Sequence, residues 1–100
     1  MYRLTYGRTT EPYRTGTQAI RALARAVRAQ PLTTGEREAF NRWYVLRNYR
    51  SVAQSLRKGH RYEIRVSIAG ERRIFAVAPP PPHPLRHAPQ VPVTRQDLPA

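Results

Sequence analysis

Cysteine is absent from the chain. That excludes disulfide scaffolds, cysteine-ligated zinc fingers and thiol catalysis. Carboxylates are scarce: six stand against 18 basic residues, and they are scattered rather than paired, so acid–base chemistry has little to work with. No glycine-rich phosphate loop and no serine in a nucleophile elbow is present. The three histidines are His60, His83 and His87. The last two have the i, i+4 spacing of a helical metal site, but Pro82 and Pro84 disfavour the helix and no third ligand is near. No metal, cofactor or small-molecule substrate is implied, and the expectation leans away from an enzyme. Long apolar runs are also missing. The best candidate, Ala19 to Ala29, is interrupted by Arg21, Arg25 and Arg28, and a membrane span needs about 20 apolar residues. Without a secretory h-region behind Arg3, the expected location is the cytoplasm, with no membrane partner.

Arginine is what the chain does have. Lys58 is the only lysine among the 18 basic residues, and the formal charge is +12. Guanidinium groups donate paired hydrogen bonds to phosphate and stack on aromatic or base faces, which ammonium groups do not. A surface of this charge attracts polyanions and loses that attraction as salt rises. One hundred residues with 40% hydrophobic content support one modest core and not two.

Composition changes near residue 78. Residues 79–100 hold eight of the ten prolines, including Pro79 to Pro82 in a row, but only +1 of the charge. The expected organisation is a basic domain over 1–78 and a proline-rich, extended tail over 79–100 that forms neither helix nor ladder.

Within the domain, Tyr2 to Tyr6 alternates as a short strand, and Gly7 to Gly16 reads as a polar loop containing Pro12. Thr15 or Thr17 can cap a helix that ends before Pro31. Thr33 and Glu36 form a capping box opening a second, long helix to Lys58, closed by Gly59. Tyr62, Ile64, Val66 and Ile68 alternate with Arg61, Glu63, Arg65 and Ser67, which is a half-buried strand. A two-residue turn, Ala69-Gly70 or Gly70-Glu71, returns the chain through Arg73, Phe75 and Val77. The expected fold is a small α+β domain in β-α-α-β-β order, its three-stranded sheet covered on one face by two helices.

At about 100° per residue, Ile20, Leu23, Ala24 and Val27 share one side of the first helix, and Arg21, Arg25 and Arg28 form a stripe beside them. On the long second helix, Val45, Tyr49, Val52 and Leu56 are the expected core face. Trp43, Arg47, Arg50, Gln54 and Arg57 fall on the opposite side at offsets 0, 4, 7, 11 and 14. The candidate nucleic-acid-binding set is therefore Trp43, Arg47, Arg50 and Arg57 with Arg21, Arg25 and Arg28. Its arginines would neutralise phosphates and its tryptophan would stack a base. The competing reading buries Trp43 and Phe40 under the Gly7–Gly16 loop and leaves the arginines as a solvated face. On the sheet, Arg61, Arg65 and Arg72 face away from the core, where Glu63 and Glu71 can pair with them.

The segments Arg61-Tyr62-Glu63-Ile64-Arg65-Val66 and Arg72-Arg73-Ile74-Phe75-Ala76-Val77 look like the middle strands of RelE-like toxins. Members of that family cleave ribosome-bound messenger RNA with basic residues on the sheet, so the resemblance implies a ribonuclease relying on Arg65, Arg72 or Arg73. The similarity covers 17 residues, and prolines stand where the family has a further strand. Ser51 to Leu56 has the flavour of the first helix of a helix-turn-helix, but a strand pattern follows in place of a recognition helix. The leading expectation is a small nucleic-acid-binding protein, for DNA or RNA, of low sequence specificity. The alternative is a phage- or plasmid-type accessory or assembly protein that docks on an acidic protein surface, with the proline-rich arm as docking segment.

Overall fold

The computed structural model describes residues 1–45, 49–80 and 92–98. The strands are β1 (Tyr2–Tyr6), β2 (Thr9–Tyr13), β3 (Arg61–Ile68), β4 (Glu71–Ala78) and β5 (Val93–Asp97), and the helices are α1 (Gly16–Arg28), α2 (Thr34–Trp43) and α3 (Tyr49–Arg57). The strands form one mixed sheet in the order β2-β1-β4-β3-β5. The fold is α+β, but the expected three strands and two helices are corrected to five and three.

The centre of the sheet follows the apolar alternation. β3 buries every second residue, from Tyr62 to Ile68. Tyr62 pairs with Val77 and Ile64 with Phe75 across the antiparallel β3–β4 ladder, so both apolar sets share one face. Leu4 on β1 stands opposite Val77 and joins them. The two-residue turn is Ala69-Gly70, since Ile68 pairs with Glu71. Gly70 has φ +86° and Ala69 has φ +51°. A left-handed backbone suits glycine and strains alanine. Ala69→Gly is expected to raise stability by about 0.5–1 kcal/mol, read as a higher midpoint in urea with an unchanged slope.

Both outer strands lie in segments expected to be irregular. β2 pairs antiparallel with β1 from Tyr2↔Tyr13 to Tyr6↔Thr9. It carries Glu11 and Pro12 and lacks apolar alternation, yet an edge strand tolerates proline where the missing N–H would face solvent. β5 runs parallel to β3, from Arg61↔Val93 to Arg65↔Asp97. The Arg61 amide donates to Pro92 O at 2.9 Å and the Leu98 amide donates to Arg65 O at 3.1 Å, extending the ladder at both ends. Leu98 is buried in the core. The tail is therefore not wholly extended chain outside the domain. The prolines flank Val93–Asp97 and leave its ladder donors intact.

α1 begins as expected, with Thr15 Oγ1 accepting from the Gln18 amide at 3.1 Å. It buries Ala19, Ile20, Ala22, Leu23, Ala24 and Val27. α2 opens with the full capping box of Thr33 and Glu36. The expected single helix from Thr33 to Lys58 is corrected to α2 over Thr34–Trp43, followed by a wider turn at Tyr44–Val45, and α3 over Tyr49–Arg57. In one uninterrupted helix Trp43 and Val52, nine residues apart, would lie about 180° apart. Both are buried, so the two segments have different phases. Val45, expected in the core, is exposed, and Tyr49 is 39% exposed, while Val52 and Leu56 are buried as expected. Gly59, at φ +80°, closes α3, and the His60 amide donates back to Ser55 O at 2.8 Å. No helix among the described residues is long and apolar enough to cross a membrane.

Candidate functional site

The phase change between α2 and α3 decides where the candidate residues point. Trp43 turns inward at 5% exposure. Its ring centroid lies 5.6 Å from that of Phe40 and 6.4 Å from that of Tyr62. Burial pushes the Tyr62 hydroxyl up to about 12, with a hydrogen bond from Trp43 acting in the opposite direction. Tyr62 Oη in turn donates to Gln96 Oε1 on β5. Trp43 thus belongs to the packing that joins α2 to the sheet, and the expectation of an outward-facing stacking residue is corrected. Arg47 lies outside the described residues.

The other five candidates come together. Arg21, Arg25 and Arg28 on α1 and Arg50 and Arg57 on α3 are all exposed. A cleft of about 670 Å³ between α1 and α3 is bordered by Arg21, Arg50 and Arg57, with Ile20, Ala53, Tyr44 and Tyr49 among its lining. A second cleft, bordered by Arg21, Arg25, Arg28, Tyr13 and Tyr44, runs along the outer side of α1. Arg21 and Tyr44 line both, so the two clefts form one continuous surface.

Aromatic rings hold two of these guanidinium groups in place. The Arg28 guanidinium lies 5.1 Å from the Tyr44 ring centroid and 5.8 Å from that of Phe40. Arg28 Nε also donates to Asn41 Oδ1 at 3.1 Å, which ties α1 to α2. Arg50 lies 5.7 Å from the Tyr49 ring centroid, and its Nε donates to Tyr49 Oη at 3.1 Å. These contacts orient the charges without neutralising them.

Carboxylates are distributed in the opposite sense. Every ion pair among the described residues involves β3, β4 or β5. Glu63 meets Arg61 at 3.5 Å and Arg95 at 3.2 Å. Asp97 meets Arg65 at 3.7 Å and Arg72 at 4.0 Å, and Glu71 meets Arg73 at 3.5 Å. Of the pairs expected on the outer face of the sheet only Arg61–Glu63 is present, and it lies within β3; Arg65 and Arg72 meet Asp97 on β5 instead, and Glu71 meets Arg73. The three arginines on which a RelE-like ribonuclease would rely, Arg65, Arg72 and Arg73, are all in such pairs. None of the five candidate arginines on α1 and α3 is. The carboxylate closest in influence is Glu11 on β2, near Arg25. It accepts hydrogen bonds from Tyr13 Oη at 2.6 Å and Tyr6 Oη at 2.8 Å. The Tyr13 bond, then the Tyr6 bond, then the charge of Arg25 lower its pKa.

Taken by element, the three helices hold seven arginines against two glutamates, a charge of +5. The five strands hold six arginines against four carboxylates, a charge of +2. Sequence periodicity found the arginines because α1 and α3 are each regular within their own length. It missed Tyr44 and Tyr49 as part of the surface, because Tyr49 shares the side of Val52 and Leu56 by spacing, yet at the first turn of α3 it stays 39% exposed. The interleaving of Tyr44, Tyr49 and Arg50 in the chain was the available signal.

Among the described residues no group of three histidine, aspartate or glutamate side chains is placed to hold a metal ion. His83 and His87 lie outside the described residues. No protein-family model, curated protein or solved structure matches the chain.

Proposed function

We propose that this protein binds the phosphate backbone of nucleic acid, with low sequence specificity, through the arginine surface of α1 and α3. The observation that carries the reading is the division of the arginines. Those on β3, β4 and β5 lie beside carboxylates, whereas Arg21, Arg25, Arg28, Arg50 and Arg57 share a continuous surface that no ion pair neutralises. An exposed guanidinium that no carboxylate neutralises keeps its charge and its remaining donors for phosphate, and each phosphate neutralised releases counterions. Contacts of this kind position a backbone without reading bases, hence the low specificity.

Salt titration of binding to an oligonucleotide tests the reading. The logarithm of the affinity should fall linearly with the logarithm of salt concentration. Arg21→Ala, Arg50→Ala and Arg57→Ala should each reduce the slope by roughly 0.7–0.9. Arg72→Ala and Arg95→Ala, taken from the paired set, should leave it unchanged. Equal effects from the two sets would overturn the assignment. A protein partner captured as well after nuclease treatment as before, with no oligonucleotide bound, would put an acidic protein surface in its place.

A further inference from the structure

We propose that the cleft between α1 and α3 accepts an unpaired base, and hence that the preferred ligand is a single strand rather than a duplex. This rests on the phosphate-binding reading above and specifies which nucleic acid it serves.

Arginines alone would suit any polyphosphate. Here Arg21, Arg50 and Arg57 border a recess that also contains Tyr44 and Tyr49, with the apolar Ile20 and Ala53 beside them. At about 670 Å³ the recess lies within the range of roughly 300–1,000 Å³ typical of sites for organic ligands. Tyr49 is not consumed by the core, being 39% exposed. Its ring tilts 45° to that of Tyr44 at a centroid distance of 6.1 Å, and the Arg50 guanidinium lies 5.7 Å from it. A flat, electron-rich guest can stack on an exposed tyrosine ring and on a guanidinium plane while neighbouring arginines take the flanking phosphates.

A duplex cannot use these rings. Its bases are stacked on one another and offer only their edges in the grooves, so it would engage the arginines and leave the tyrosines idle. A single strand can splay a base into the recess. The surface also suits a chain rather than a free nucleotide. The recess continues past Arg21 and Tyr44 onto Arg25, Arg28 and Tyr13, which supplies further guanidinium groups and another aromatic along one path.

The test compares a labelled homopolymeric single strand with a duplex of the same length, using the full chain and fluorescence anisotropy. The single strand should bind more tightly. Tyr49→Ala should weaken single-strand binding by roughly 5- to 150-fold, the range seen for loss of one base–aromatic stack, and weaken duplex binding by much less. Tyr49→Phe, which keeps the ring and removes the hydroxyl, should retain single-strand affinity. An unchanged melting curve for Tyr49→Ala separates this from misfolding, and Tyr49→Phe carries the comparison if that curve shifts. Single-strand affinity indifferent to Tyr49→Ala, lost equally in Tyr49→Phe, or equal to duplex affinity would overturn the base-binding cleft and leave the phosphate reading standing. Failure of the unaltered protein to bind either ligand with a salt-dependent affinity would overturn both.

Discussion

Glu36→Ala will lower the melting temperature by about 5–10 °C at neutral pH, because the cap and the turn lose their shared acceptor while some freed donors regain water, and a net loss of about 1 kcal/mol shifts a domain of this size by about 4–8 °C. Glu36 is the one charged residue buried among those described. Its carboxylate accepts from the Thr33 amide at 2.9 Å, Ser67 Oγ at 2.9 Å, the Ala69 amide at 3.0 Å and the Gly70 amide at 3.4 Å. One oxygen pair therefore closes the capping box of α2 and holds the β3–β4 turn. The backbone bonds from Thr33 and Ala69 lead in lowering its pKa from 4.5 to about 2. A depressed carboxylate contributes stability that is present above its unfolded value and lost as pH falls through its folded value. Thermal melts of the unaltered protein should therefore decline from about pH 4.5 towards pH 2. Glu36→Gln should remove much of that decline and much of the stability at neutral pH, since its amide keeps one acceptor oxygen but places donors against donors. A melting temperature unmoved by either substitution would show that the turn and the helix are not joined through this group.

Removal of residues 79–100 will have the larger effect. The shortened chain loses β5, the bond from Tyr62 to Gln96, both Asp97 ion pairs and the buried Leu98. Leu98→Ala alone should cost about 2–5 kcal/mol, as for other buried leucines cut to alanine. The deletion should lower the melting temperature by more than about 10 °C and expose the edge of β3, which promotes self-association. Calorimetry and light scattering of the two variants provide the measurement. A shortened chain that melts with the full one would mean that β5 adds nothing to the domain.

The contrast between these predictions and the sequence reading shows what local pattern can carry. The β3–β4 hairpin was legible because burial imposes a strict period of two on Tyr62 to Ile68. The start of α2 was legible because Thr33 and Glu36 carry a local cap. The second duty of Glu36 was not, since Ser67, Ala69 and Gly70 are more than 30 positions away in the chain. β2 and β5 escaped detection because edge strands need only backbone pairing, and Pro12 and Pro92 speak against strands in any short window. The turn of Trp43 into the core had no local signal. No glycine or proline marks the end of α2, and only tertiary packing reveals the change of phase. For the candidate site, Arg21, Arg25, Arg28, Arg50 and Arg57 were readable because each lies within a regular helix. Bringing α1 and α3 side by side, with Tyr44 and Tyr49 between them, required the fold.

The unequal sharing of carboxylates between strands and helices also acts before any contact is made. It leaves α1 and α3 with five arginines and no carboxylate, a local concentration of positive charge on the helices. On the proposed reading, a nucleic acid within reach would exert a torque that turns these helices towards it, so that collisions arrive already aligned. At physiological ionic strength that reach is about 8 Å, and it lengthens in dilute buffer.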